Sequence, residues 1–140
     1  MNREPIYAAL FAKLEAVPGI VTASRKLKHW SDVAAIEQPA LFMAQGTETA
    51  IRAAGLLTKW VLDVKVYVYV NTTGVDAPAT SLNPILDAIE AIMKPALAGS
   101  QQSLGSLAHD VRIEGVIETD EGSLGDQAIA IVPVRVITAP

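Results

Sequence analysis

The segment Lys59–Asn71, KWVLDVKVYVYVN, constrains this chain more than any other. Trp60, Leu62, Val64, Val66, Val68 and Val70 fall on one face; Lys59, Val61, Asp63, Lys65, Tyr67, Tyr69 and Asn71 fall on the other. Period-two alternation of β-branched and aromatic residues predicts a strand. At about 3.3 Å per residue it spans on the order of 40 Å, about twice an ordinary strand. A strand of that length protrudes beyond its own core or joins a larger shared sheet. Its second face mixes charge with tyrosine, which suits solvent or a protein partner.

The remaining segments arrange themselves around this strand. Ile6, Tyr7, Leu10, Phe11, Leu14 and Val17 form one helical stripe. Pro5 suits the first turn and Pro18-Gly19 ends the helix. A short strand is expected at Ile20–Arg25, and a buried one at Ala40–Gln45, bounded by Pro39 and Gly46. Thr47–Gly55 reads as a loop or a single helical turn. Asn83-Pro84 predicts a helix start, with Ile85, Leu86, Ile89, Ile92 and Met93 as its apolar stripe, Lys94 in its last turn and Pro95 as its stop. Ala96–Ala108 has no period and reads as a loop. Val111–Thr119 and Gln127–Thr138 alternate, and Thr119–Asp126 between them has turn chemistry, so they form an antiparallel hairpin. Pro133 cannot donate to a ladder, which places it on an edge or at a bulge. The order α-β-β-β-α-β-β is that of an α+β fold, a mixed or antiparallel sheet flanked by two main helices. At 140 residues the chain is expected to form a single domain over 1–140.

Composition narrows the chemistry. There is no cysteine, which removes disulfides, thiol nucleophiles and cysteine-ligated metals. No run of about 18 uncharged apolar residues is present to span a membrane. The N-terminal stretch carries Glu4, Lys13 and Glu15 and does not read as a signal peptide, so the expected compartment is the cytoplasm. The net charge of −4 is unevenly spread: eight basic against six acidic residues over 1–65, three against nine over 66–140. Such a chain could stack against copies of itself, although chance variation between halves gives the same pattern. A globally acidic chain is a poor nonspecific nucleic-acid binder.

No phosphate-cradling glycine loop and no nucleophile elbow occurs. His29 with Asp32 makes half a catalytic dyad without a nucleophile; packing or exposure in a loop is the simpler reading. His109-Asp110 with Glu114 offers metal-ligating side chains at a spacing that matches no standard set, and neighbours on a strand point to opposite faces. Asp120-Glu121-Gly122-Ser123-Leu124-Gly125-Asp126 lacks the ligand alternation of a calcium loop and reads as a solvated hairpin tip whose charge can serve docking. Arg25, Lys26 and Lys28, beside His29 and Trp30, are the one basic cluster. Basic residues next to an aromatic are what single-strand binders use, and a solvated loop is the competing reading. No catalytic, metal or cofactor site emerges.

Three segments carry a family resemblance: the N-terminal helix leading through Arg25–Trp30 into WSDVAAIEQPALFMAQGTE (Trp30–Glu48), the WVLDVKVYVYV strand followed by Asn83-Pro84, and VRIEGVIETDEGSLGDQAIAIVPVRVI (Val111–Ile137). In pattern and order the chain resembles the tail terminator, or tail completion, proteins of long-tailed bacteriophages and prophages. The resemblance implies a fold similar to tail-tube proteins and a ring, typically of six subunits, on the last ring of the tail tube. Such a ring halts tube growth and offers a surface to the head–tail neck proteins, and phage DNA passes through it. It implies a non-enzymatic protein without cofactor or membrane, located in the virion tail and assembled in the host bacterial cytoplasm. The family carries no tight motif to transfer, so candidate sites rest on the residues themselves. Arg25, Lys26 and Lys28 are candidates for the DNA-facing lumen; Tyr67, Tyr69, Asp120, Glu121, Asp126 and Pro133 are candidates for the subunit or tube interface. The rival readings are another neck or completion protein, and a small α+β enzyme or ligand-binding module whose His29, Asp32, His109 and Glu114 would have to converge.

Overall fold

The computed structural model describes residues 1–138; positions 139–140 of the expected domain lie outside the described residues. Two helices, α1 (Arg3–Glu15) and α2 (Ala79–Met93), accompany six strands: β1 (Thr22–Ser24), β2 (Ala40–Ile51), β3 (Lys59–Asn71), β4 (Asp110–Ile113), β5 (Glu118–Asp120) and β6 (Gln127–Ile137). All six lie in one mixed sheet of order β1-β2-β3-β6-β4, with β5 also on β6. Only β1 and β2 run parallel. This is the α+β fold that the pattern predicts.

The alternation in β3 sorts the two faces. Leu62, Val64, Val66, Val68 and Val70 join Leu41 and Met43 of β2 and Val132, Val134 and Val136 of β6 in one buried cluster. Both helices cover it, α1 through Ile6, Tyr7, Leu10 and Leu14, and α2 through Leu82, Ile85, Ile89 and Met93. The opposite face holds a second, smaller cluster of Val33, Ala40, Phe42, Tyr69 and Ile129, with Trp30, Tyr67 and Leu124 packed on it.

Four local expectations need correction. First, β2 does not stop at Gln45. It continues to Ile51 through a bulge in which Gly46 and Thr47 oppose Asp63. A Cβ on Gly46 would lie 2.7 Å from the Asp63 carbonyl oxygen, so the close approach requires glycine. The extension is exposed on both faces and therefore shows no apolar alternation. Second, α2 begins at Ala79, and Pro84 sits inside it. Pro84 has no N–H to give the carbonyl of Thr80, four residues earlier, and Thr80 lies in the exposed first turn, open to solvent. Third, the expected strand Val111–Thr119 is broken into β4 and β5. Between Ile113↔Val134 and Glu118↔Ile131 the chain advances five positions against three on β6. Gly115, at φ +119, makes the detour. Fourth, Pro133 lies on a central strand, between β3 and the β4/β5 pair. Its carbonyl accepts from Glu114 N–H at 3.2 Å, so its nitrogen points to the same side, where the partner strand is interrupted. The proline falls where no ladder donor is needed.

Candidate assembly surfaces

The β2–β3 hairpin is the longest element pair in the fold. Its turn, residues 52–58, follows Ile51↔Lys59, and the outer backbone edge of β2 beyond Phe42 has no strand partner among the described residues. Ile51, Leu56 and Leu57 at the tip are 52%, 64% and 73% exposed, an apolar cluster at the end of a polar arm. With Ala53 and Lys59 they surround a hollow of about 490 Å³. The arm is anchored lower down by α1. Tyr7 is buried and donates through its hydroxyl to Glu48 at 2.9 Å, Arg3 pairs with the same carboxylate at 2.7 Å, and the Arg3 guanidinium sits 5.0 Å from the Trp60 ring centroid. Burial first, and then the Glu48 carboxylate, push the Tyr7 hydroxyl up to about 12. The hydrogen bond from Arg3 holds Glu48 below the ordinary carboxylate range.

The basic cluster splits. Arg25 pairs with Glu4 of α1. Lys26 and Lys28 are exposed and form no ion pair among the described residues. The loop that carries them is pinned to the sheet by Tyr69, whose hydroxyl donates to the Lys28 carbonyl at 2.9 Å. Tyr69 is only 4% exposed and packs against Phe42, with ring centroids 5.5 Å apart. It is a core residue of the second cluster, not a free interface residue; Tyr67 beside it stays half-buried.

Loop and sheet together enclose an open trough of about 390 Å³ on this second face. Its floor is Tyr67, Tyr69, Ile129 and Ile131, and one wall runs from Leu27 to Trp30. On the β5 side, next to this floor, the same sheet face turns acidic. Glu118 and Asp120 oppose Ile131 and Ile129 across the β5–β6 ladder and so share their face. Leu124 contributes an apolar contact between them and the loop. Asp120 has a local task as well: it accepts from the Gly122 and Ser123 N–H groups, each at 2.9 Å, and from the Ser123 hydroxyl, which holds its carboxyl below the ordinary range. Glu121 and Asp126 are exposed at the same hairpin end, and the Asp126 carbonyl accepts from Thr72 N–H at 2.9 Å. Pro133 lines a separate groove of about 450 Å³ with Gly46, Asp63 and Arg135. There Arg135 bridges Asp63 and Glu114, both at 2.9 Å, and Arg112 links Glu114 to Asp110. Burial works against ionising Asp63, but the Arg135 and Thr47 hydrogen bonds outweigh it and keep its carboxyl low.

The histidines do not converge. His29 Nδ1 contacts the Ser31 hydroxyl at 2.6 Å, beside the Trp30 ring. His109 donates its backbone N–H to Ile137, at the far end of β6, eight positions and about 26 Å from Ile129 beneath His29. Glu114 is taken up by the two arginines. Among the described residues no group of three or more His, Cys, Asp or Glu could hold a metal ion, and no helix is long and apolar enough to cross a membrane. Two features escape the sequence reading. The Arg3–Tyr7–Glu48–Trp60 clamp joins residues more than 40 positions apart, with no local signal. The trough was detectable in part, since Phe42, Tyr69 and Ile129 each fall on the face opposite the valines.

No family model matches the chain, and no curated protein does. Solved structures share its fold. A chain from the virion of a native gene transfer agent particle aligns with a TM-score of 0.56 at 12% identity, covering 97% of this chain and 98% of that one. A second solved chain aligns with a TM-score of 0.53 at 18% identity, covering 100% and 98%. At these identities the likeness is one of fold.

Proposed function

We propose that the chain is a structural component of a phage-like virion, and within it a tail terminator. The ring it forms, six copies in the family it resembles, caps the tail tube, stops tube polymerisation and presents a surface to the head–tail neck. The observation that carries this reading is the end-to-end correspondence with a chain of a gene transfer agent virion, with almost nothing left over on either side. An arm with an exposed apolar tip and a separate apolar trough add to it, because an isolated small domain gains nothing from either. The role is architectural and not catalytic, and its partners are further copies of itself, the tail-tube protein, the neck protein and, transiently, DNA. Its place is the virion tail, after assembly in the host bacterial cytoplasm. Lys26 and Lys28, rather than Arg25, are the cations left to face DNA phosphates.

The test is tube assembly. Tail-tube protein is polymerised with and without this chain, and tube length and end-labelling are scored by electron microscopy. Shortened tubes labelled at one end support the terminator. Tubes of unchanged length without end label overturn it. Binding to the portal side of heads, with tubes untouched, transfers the chain to the neck.

A further inference from the structure

We infer that the hairpin tip of one copy seats in the apolar trough of a second copy, so that the chain associates head to tail. The two surfaces fit in kind. The tip offers Ile51, Leu56 and Leu57, all more than half exposed. The trough floor is aromatic and aliphatic, with a mouth open to solvent. They also fit in charge. Arg52 and Lys59 flank the tip, and neither forms an ion pair among the described residues. Glu118 lies on the same sheet face beside the trough floor, and Glu121 and Asp126 are exposed at that hairpin end. The tip's cations thus meet these carboxylates on the β5 side and stay clear of Lys26 and Lys28 on the loop side.

Geometry excludes an intramolecular solution. The tip and Tyr67 of the trough floor are eight residues apart along the same extended strand, about 26 Å. A strand held in a ladder on both sides cannot fold its tip back onto its own middle. The two surfaces are different patches of one chain, so the contact is heterologous: it closes into a ring where the rotation fits and propagates where it does not. This gives the ring reading a concrete subunit contact, but does not depend on what the ring caps.

The absence of native cysteine permits a direct test. Leu57→Cys and Ile131→Cys are made in separate full-length chains, mixed at high concentration and oxidised. The expected product is the mixed dimer, at least tenfold above either homodimer, and the double variant L57C/I131C gives a ladder of multimers. Asp87→Cys, on the exposed side of α2, which covers the sheet face opposite the trough, supplies the background. Arg52→Glu with Lys59→Glu is expected to suppress the mixed dimer tenfold or more, and Glu118→Lys with Glu121→Lys in the partner to restore it. Cross-linking of Leu57→Cys no greater with Ile131→Cys than with Asp87→Cys overturns the proposal. Capped tubes without this cross-link would retain the terminator and reject the contact; the cross-link without capping would do the reverse.

Discussion

Replacing Tyr7 with phenylalanine keeps the buried ring and removes one hydroxyl, so it isolates the hydrogen bond that ties α1 to the hairpin arm. A hydrogen bond to a charged acceptor contributes about 1.5–3 kcal/mol net. Glu48 retains Arg3 and its side chain is 25% exposed, so water replaces part of what is lost. The lower end applies, and Tyr7→Phe should cost about 1.5 kcal/mol at pH 8. A second, sharper signature comes with alkali. Tyr7 ionises near 10 when unfolded and at about 12 when folded. Below pH 10 both states keep the proton and the stabilisation is complete. Between 10 and 12 the unfolded state ionises first, and stability falls as pH rises. At pH 11 the loss is about 1.4 kcal/mol, and it approaches about 2.7 kcal/mol above 12.

Phenylalanine has no proton to lose, so the gap between the two proteins should close near pH 11. Every other group is common to both chains and cancels in the difference. Urea denaturation at pH 8 and pH 11, at matched protein concentration, measures that difference directly. A gap that stays the same at both pH values would refute the argument, because it would mean that neither burial nor Glu48 holds the Tyr7 proton in the folded chain.

Gly46→Ala should destabilise by about 2–3 kcal/mol in urea, although alanine is normally the better strand residue, because its Cβ would collide with a backbone carbonyl at 2.7 Å. Gly115→Ala should cost about 1–3 kcal/mol through its φ of +119, and adding Pro133→Ala should recover only the part due to the 3.3 Å contact with the proline ring. Tyr69→Phe should cost about 1 kcal/mol by calorimetry and, more tellingly, speed tryptic cleavage after Lys26 and Lys28 by freeing the loop from the sheet. Reversing Lys26 and Lys28 to glutamate should leave the melting temperature unchanged while impairing tail joining or DNA passage; a normal phenotype in assembly would remove both from the lumen.

The sheet was legible because burial writes itself into alternation. Five valine or leucine positions on one face of β3 meet their counterparts on β2 and β6, and a one-residue slip of any strand would turn its set to the wrong face. The errors lie where that signal is absent. β2 beyond Gln45 is held by β3 and by the polar clamp on Glu48, with exposed residues on both faces, so no buried apolar alternation marks it and Gly46 mimics a terminus. The start of α2 went to Asn83-Pro84, a strong local cap signal. The helix is fixed instead by Leu82, which is buried and therefore draws the preceding turn in with it. Tertiary burial outweighs a capping preference of about 1 kcal/mol.

The site residues divide by the same rule. Charge marked the basic loop and the acidic hairpin correctly as surface, but charge says nothing about pairing. Arg25 met Glu4, 21 positions away, and Asp120 turned inward to its own hairpin. Tyrosine on a polar face is ambiguous in sequence because its ring favours burial and its hydroxyl favours water. Tyr69 resolves this by finding the Lys28 carbonyl, which closes a second core under a loop that has no regular pattern. Tyr67, two residues earlier on the same face, finds no such cover and stays half-buried in the trough floor. One tyrosine thus builds the surface and the next presents it. The difference lies not in strand β3 but in how far the loop at Leu27–Trp30 reaches across it.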